Sequence, residues 1–506
     1  MRNRGVAVIG AAALSVLVAS CGARVPAYLG ASATTATTAV TTTTATAGPI
    51  GGGAVTTTST GGAVGGNAAG ASGGAAAATG GAPGSASPKA ATGGSVLSSP
   101  TSAGFNFAAS SEAADCPSAA GNTASDVGVT PNQLTFGNVS GLTGPLTGSF
   151  PQGSQGVEAL FGAVNAAGGI CGRHLNLDVE DDQQNASTNA SDVADLIPKS
   201  LAFVGSTGDA DNGGVPAMTA ANIPDIGFAI NCDRSEEPVY WSPAAGSCDQ
   251  PDGPSGPYFI DNATFELAKQ AGYLPTRMAF LSYSISISAQ AAEEYEYVYQ
   301  HMGGTVCYSD FAVSPASASL ESDVESMQQN GCNGSFDTMD VTGNAKLLQA
   351  MQQQAYVVPY VAATFDAYTP ALIATAGQSA AQGLIVALPF VPLNEPQTMV
   401  QLYQQQLATY EPGDQPSGFG FLAWESAQML IYALIQSGHD PTRATLVKAL
   451  DTMVNWTGGG ALGGYTPSSR GAYPCDVDVT VKGSGFVRKA PSSGLFCGGQ
   501  VVQASP

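Results

Sequence analysis

The chain has 506 residues, with 38 acidic against 16 basic side chains, a formal charge of −22 and only 11% charged residues. That balance argues against nucleic-acid binding, which depends on basic side chains meeting phosphates, and otherwise reports solubility rather than a ligand. The three histidines, His174, His301 and His439, stand far apart and in none of the metal-ligand spacings, so neither a metal nor a cofactor is expected.

At the N-terminus, Arg2 and Arg4 precede an apolar run over 6–18, which ends in Val18-Ala19-Ser20-Cys21. The run is shorter than the roughly 20 apolar residues a membrane-spanning helix needs, so residues 1–20 read as a signal peptide. Small residues before Cys21 make it a lipoprotein signal, with Cys21 acylated and leading the mature chain; an ordinary secretory signal with an accidental cysteine is the rival. Several acyl chains on one cysteine hold a membrane more firmly than a single chain does. Residues 22–114 are nearly all Ala, Gly, Thr, Ser and Pro, too poor in bulky apolar groups to offset their ordering entropy, and read as a disordered tether. A flexible linker of about 90 residues reaches about 50 Å, enough to hold a domain clear of a lipid surface. The expected location is therefore the outer face of the cytoplasmic membrane, where cysteines oxidise. Of nine cysteines, setting Cys21 aside leaves eight, whose connectivity is open in principle. The pairing adopted joins neighbours: Cys116 with Cys171, Cys232 with Cys248, Cys307 with Cys332, and Cys475 with Cys497.

Past about Asp115, strand-like and helix-like segments alternate. Residues 134–139 read as a strand, followed by a Gly/Thr/Pro loop and a helix in which Val157, Leu160, Phe161 and Val164 recur at helical spacing, stopped by Gly168-Gly169. Leu175, Leu177 and Val179 alternate as a strand does. A polar helix is expected over 186–197, then a strand over 201–204, a helix over 215–221 and a strand over 226–230. After the loop bounded by Cys232 and Cys248, strands are expected over 278–281, 305–308, 338–341, 357–362 and 384–388. Helix-like stretches such as 290–302 separate them, and a late amphipathic helix covers 423–436. Such alternation implies parallel sheets with right-handed crossovers, and about 390 residues exceed one comfortable core. The expected fold is α/β, with two doubly wound parallel-sheet lobes joined by hinge strands. Residues 115–262 form the first lobe, 263–389 the second, 390–451 a return to the first, and 452–506 a disulfide-containing tail ending on the second.

A family resemblance is carried by Gly141-Leu142-Thr143-Gly144-Pro145, by Val164-Asn165-Ala166-Ala167-Gly168-Gly169-Ile170-Cys171-Gly172-Arg173, and by Glu180-Asp181-Asp182. It continues in Phe203-Val204-Gly205-Ser206-Thr207, Asn222-Ile223-Pro224 and Gly377-Gln378-Ser379-Ala380-Ala381-Gln382-Gly383-Leu384. In order and spacing these resemble the leucine/isoleucine/valine-binding family, solute receptors of ABC importers. The resemblance implies a type I periplasmic-binding fold that closes on a small solute and catalyses nothing. The residues agree: no G-x-S-x-G elbow stands in the folded part, and Asp181 and Asp182, as neighbours on a strand, point to opposite faces. The run from Asp209 to Gly214 hints at a calcium loop but has Ala220 where the twelfth-position glutamate belongs.

In open α/β sheets ligands collect at the carboxyl ends of strands, where helix N-termini offer N–H groups to a carboxylate. Those loops carry Ser140, Thr143, Phe150 and Gln152 after the first strand, Ser206, Thr207 and Asp209 after the third, and Ala229 and Asn231 after the fourth. Each could instead serve only turns and caps. In the second lobe the resemblance implies an acidic residue facing an ammonium, and Asp366 falls near that place. Tyr283, in a Ser-rich stretch where the family often has an aromatic, either stacks on the ligand or fills core. The function expected is a lipid-anchored receptor that carries an amino acid, amide or related solute to importer membrane subunits. A tethered sensor signalling to a partner protein is the alternative.

Overall fold

The computed structural model describes residues 119–146, 150, 152–244, 258–469 and 472–504. The signal peptide, Cys21, the tether, Cys116 and Cys248 lie outside the described residues.

The first sheet is built from β1 (Gln133–Ser140), β2 (His174–Asp181), β3 (Phe203–Val204), β4 (Asp225–Ile226) and β5 (Tyr240–Trp241), all parallel, in the order β2-β1-β3-β4-β5. Between them run α1 (Gln152–Ala166), α2 (Ala186–Leu196), α3 (Val215–Ala221) and the single turn α4 (Cys232–Ser235). Local chemistry sets the helix ends. Asn185 Oδ1 accepts from the N–H groups of Ser187 and Thr188 to start α2, and Asn222, at φ 46°, closes α3 in the left-handed conformation that asparagine tolerates. The strand expected over 226–230 stops at Ile226. Beyond it the N–H of Ala229 donates to the Tyr240 hydroxyl and those of Ile230 and Asn231 donate to the Asp211 carboxylate, so the chain leaves the ladder.

β6 (Tyr258–Asp261) and α5 (Ala263–Gln270) lead to the second sheet, where β7 (Arg277–Tyr283), β8 (Thr305–Val313), β9 (Gly334–Asp337), β10 (Val361–Ala363) and β11 (Ile385–Leu388) pair in parallel. The crossovers are α6 (Ser286–His301), α7 (Glu321–Gln329), α8 (Val341–Gln353) and α9 (Pro370–Ala376). The expected strand over 338–341 is displaced to 334–337, because Asp340 accepts from the N–H groups of Thr342 and Gly343 and starts α8 there. The strand expected over 357–362 narrows to 361–363.

Three further helices, α10 (Thr398–Tyr410), α11 (Gly418–Ser437) and α12 (Arg443–Asp451), return toward the first sheet. α11 has the length and hydropathy of a membrane span but is a core helix, almost entirely buried. It crosses α1 at Gly156, where a Cβ would come within 2.0 Å of the Gly420 carbonyl oxygen; only glycine permits that approach. The tail then adds an antiparallel hairpin, β12 (Val477–Lys482) and β13 (Gly485–Ala490), to the β11 edge of the second sheet. Its end, β14 (Val501–Ala504), pairs antiparallel with β6. Cys307 is bonded to Cys332 and Cys475 to Cys497. Cys171 and Cys232 are also disulfide-bonded.

Candidate functional site

The carboxyl ends of both sheets face a cavity of about 220 Å³. The first lobe supplies Leu146, Phe150, Asp209, Phe228 and Ile230, and the first turn of α11 adds Phe419. From the second lobe come Tyr283, Ile285, Ile287, Ser288, Thr338, Asp340, Thr364, Phe365 and Asp366. β6, α5 and α6 contribute Ile260, Asp261, Thr264, Glu294 and Tyr295, and the tail closes one side with Ala472, Tyr473 and Asp476. Apolar walls with a few converging polar groups are the usual makeup of a small-molecule site. Aromatic rings bridge the lobes: Phe365 lies 5.4 Å from Phe228 and 4.9 Å from Phe419, centroid to centroid, and Phe419 lies 5.5 Å from Phe150.

Carboxylates dominate the polar lining. Asp340 is held by the Tyr283 hydroxyl, 2.6 Å away, as well as by its capping bonds. Asp366 accepts from the Thr364 hydroxyl, and burial, followed by repulsion from Asp340, pushes its carboxyl up to about 7. Burial and then Asp182 raise Asp209 to about 6. Burial likewise lifts Glu294 to about 8, Asp261 to about 6, and Asp476, which also feels Asp261, well above the usual carboxylate range. Among the described residues, no cluster of His, Cys, Asp or Glu is tight enough to hold a metal ion.

Of the residues singled out from the sequence, Phe150, Asp209, Tyr283 and Asp366 come together around the cavity. The others brace the loops behind it. Ser140 Oγ donates to Asn138 and accepts from the Thr207 N–H, while the Thr207 hydroxyl donates to the Phe150 carbonyl. Ser206 Oγ accepts from the Val139 N–H, and Thr143 donates to Asp181 through both its N–H and its hydroxyl. Asn231 donates through its side-chain amide to the Asp209 carbonyl and to Asp211, the Ala229 N–H goes to Tyr240, and Gln152 opens α1. Beneath these loops Arg234, 1% exposed, bridges Asp211 at 3.1 Å and Asp225 at 2.7 Å and also donates to the Ser206 carbonyl. The sequence reading missed Phe228 and Phe365, which adjoin residues it named. It also missed Glu294, on α6, and Asp261 and Asp476, which long-range pairing brings in.

Comparison with known proteins agrees with this architecture. The family model described as "Periplasmic binding protein" matches residues 133–474. No curated protein matches the chain significantly. Among solved structures, the fatty acid ABC transporter substrate-binding protein from Thermomonospora curvata superposes with a TM-score of 0.61 at 16% identity, over 74% of this chain and 95% of that one. A branched-chain amino acid transporter substrate-binding protein from Streptococcus pneumoniae, in complex with isoleucine, gives 0.59 at 13% identity, over 74% and 100%. A solute-binding protein of an ABC transporter from R. palustris, in complex with 4-hydroxybenzoate, gives 0.59 at 14% identity, over 74% and 98%. With two parallel-stranded lobes facing one cavity and a family match over 342 residues (474 − 133 + 1), the chain belongs to the periplasmic binding protein family and has the type I fold of its leucine/isoleucine/valine-binding members.

Proposed function

We propose that the chain is the extracytoplasmic solute-binding component of an ABC importer, tethered to the membrane through lipid on Cys21, and that it carries a small solute without transforming it. The observation that carries this reading is the cavity between the lobes, roofed by the contact of Phe228 with Phe365 and enclosed by both sheets' carboxyl ends. Phe150, Asp209, Tyr283 and Asp366 are the proposed solute contacts. Closure of the lobes serves transport because a ligand shifts an equilibrium only by binding one state better, and a solute in a cavity lined by Phe228 of one lobe and Phe365 of the other touches both lobes only when they are shut. The closed form would then dock on importer membrane subunits.

A thermal-shift screen of the full-length, detergent-solubilised chain against amino acids, amides, short peptides, sugars, amines and fatty acids tests this. A solute at about 100 times its dissociation constant adds about 2.7 kcal/mol. A screen in which nothing stabilises the chain removes the proposal.

A further inference from the structure

Resting on that solute-binding reading, we infer that the solute is an organic cation: an amine with two or more ammonium groups spaced along an apolar chain and no carboxylate. The lining itself points there. Six carboxylates, Asp209, Asp261, Glu294, Asp340, Asp366 and Asp476, face the cavity, and among the described lining residues there is no Lys, Arg or His.

Two of these carboxylates lack the partners that buried acids need. Glu294, 8% exposed, accepts one hydrogen bond, from Gln290 to Oε1, and among the described residues no donor reaches its Oε2. Asp209 Oδ1 is enclosed and has no partner among the described residues. Burial without a partner holds such acids toward their neutral form, and a cationic solute is what would stabilise them ionised.

A carboxylate-bearing solute meets no cationic side chain among the described lining residues. At the carboxyl end of the first sheet four backbone N–H groups are already engaged: Thr207 with Ser140, Ala229 with Tyr240, and Ile230 and Asn231 with Asp211. Those four donors are filled by the protein's own acceptors.

The distribution of charge selects the shape of the cation. Asp209 belongs to the first lobe, Asp340 and Asp366 to the second, and Asp261, Glu294 and Asp476 to β6, α6 and the tail. No cluster among them suits a metal ion, and a single ammonium has only three donors. Several ammonium groups joined by methylenes match this spread. The methylenes would lie against Ile230, Ile285 and Ile287, and the rings of Phe228, Phe365 and Phe419 offer faces to a cation as well as to an alkyl chain.

The test is calorimetric titration of the full-length, detergent-solubilised chain with 1,5-diaminopentane, spermidine, hexylamine, isoleucine and octanoate. Saturable binding of diaminopentane or spermidine, at least about tenfold tighter than hexylamine, with no binding of isoleucine or octanoate, is the expected result. Asp366→Asn and Asp209→Asn should each weaken the polyamine by about tenfold or more, the scale of a lost hydrogen bond to a charged group, while the unliganded melting temperature stays near that of the parent. Selectivity of the parent chain decides the matter even if a variant folds poorly. Binding of isoleucine or octanoate with the amines inert overturns the cation inference and leaves the solute-binding reading intact. A chain that binds none of the five, and that no solute in the wider screen stabilises, overturns both.

Discussion

Phe228 of the first lobe meets Phe365 of the second edge to face, with ring centroids 5.4 Å apart and planes at 86°. The contact joins the lobes at the wall of the cavity, and Phe365 continues it to Phe419 on α11. Such aromatic pairs contribute about 0.5–1.5 kcal/mol beyond the area they bury. Phe365→Ala should therefore favour the open form, visible as a larger radius of gyration in small-angle scattering of the solute-bound chain. A double-mutant cycle with Phe228→Ala should give a coupling in the same range for solute affinity; additive effects would show that the rings do not act together.

Arg234 organises the loops on the first-lobe side. It neutralises Asp211 and Asp225 inside the protein, and Asp211 in turn fixes the N–H groups of Ile230 and Asn231. Removing the cation leaves two buried carboxylates without a countercharge. Arg234→Ala is expected to cost about 3–5 kcal/mol in urea denaturation. Arg234→Lys should recover only part of this, because an ammonium lacks the planar fork that reaches both carboxylates and the Ser206 carbonyl.

The Cys475–Cys497 disulfide closes a tail segment with a sequence separation of 22 residues, and that tail brings Tyr473 and Asp476 to the cavity. On loop-closure grounds the crosslink is worth about 3 kcal/mol. Replacing both cysteines by serine should lower stability on that scale and weaken solute binding as well. A loss of stability with unchanged affinity would separate the tail from the site.

Glu425 sits in the middle of α11, fully buried, with the Trp456 indole N–H as the one donor beside its carboxyl among the described residues and not in full hydrogen-bond geometry. Burial pushes it up from 4.5 to about 8. A raised acid binds more protons folded than unfolded, so its stabilising contribution is complete below about pH 4.5 and is lost as pH rises through about 8. Glu294 and Asp366 carry the same sign. The melting temperature should fall between pH 5 and pH 8, and Glu425→Gln should flatten that fall; an unchanged slope in the variant would show that Glu425 does not titrate there.

Much of the fold was legible in the sequence because its elements are locally signed. In β1, Leu134, Phe136 and Val139 stand among polar residues between turns, and α3 lies between Gly214 and an Asn222 suited to the left-handed cap. Misreadings occurred where one side chain outweighed the pattern: Met339 and Val341 alternate like strand residues, but Asp340 between them is a helix cap. In the site, Phe150 and Asp209 were legible because they follow strands, where cavities form, and Tyr283 and Asp366 through the family resemblance. Most of the serines, threonines and asparagines beside them proved to support loops, a use of the same hydroxyls and amides that spacing does not distinguish from ligand contact. Asp261 and Asp476 were not legible at all. They are brought to the cavity by the β6–β14 pairing and the Thr264–Asp476 hydrogen bond, contacts between residues more than 200 positions apart, and by the tail hairpin's pairing with β11.

The most direct test of the account is where the solute sits. A crystal structure of the chain with whichever solute raises its melting temperature most should place that solute in the cavity lined by Phe228 and Phe365, within hydrogen-bond reach of Asp366. A solute bound elsewhere, or a cavity holding only water at saturating solute, would contradict it.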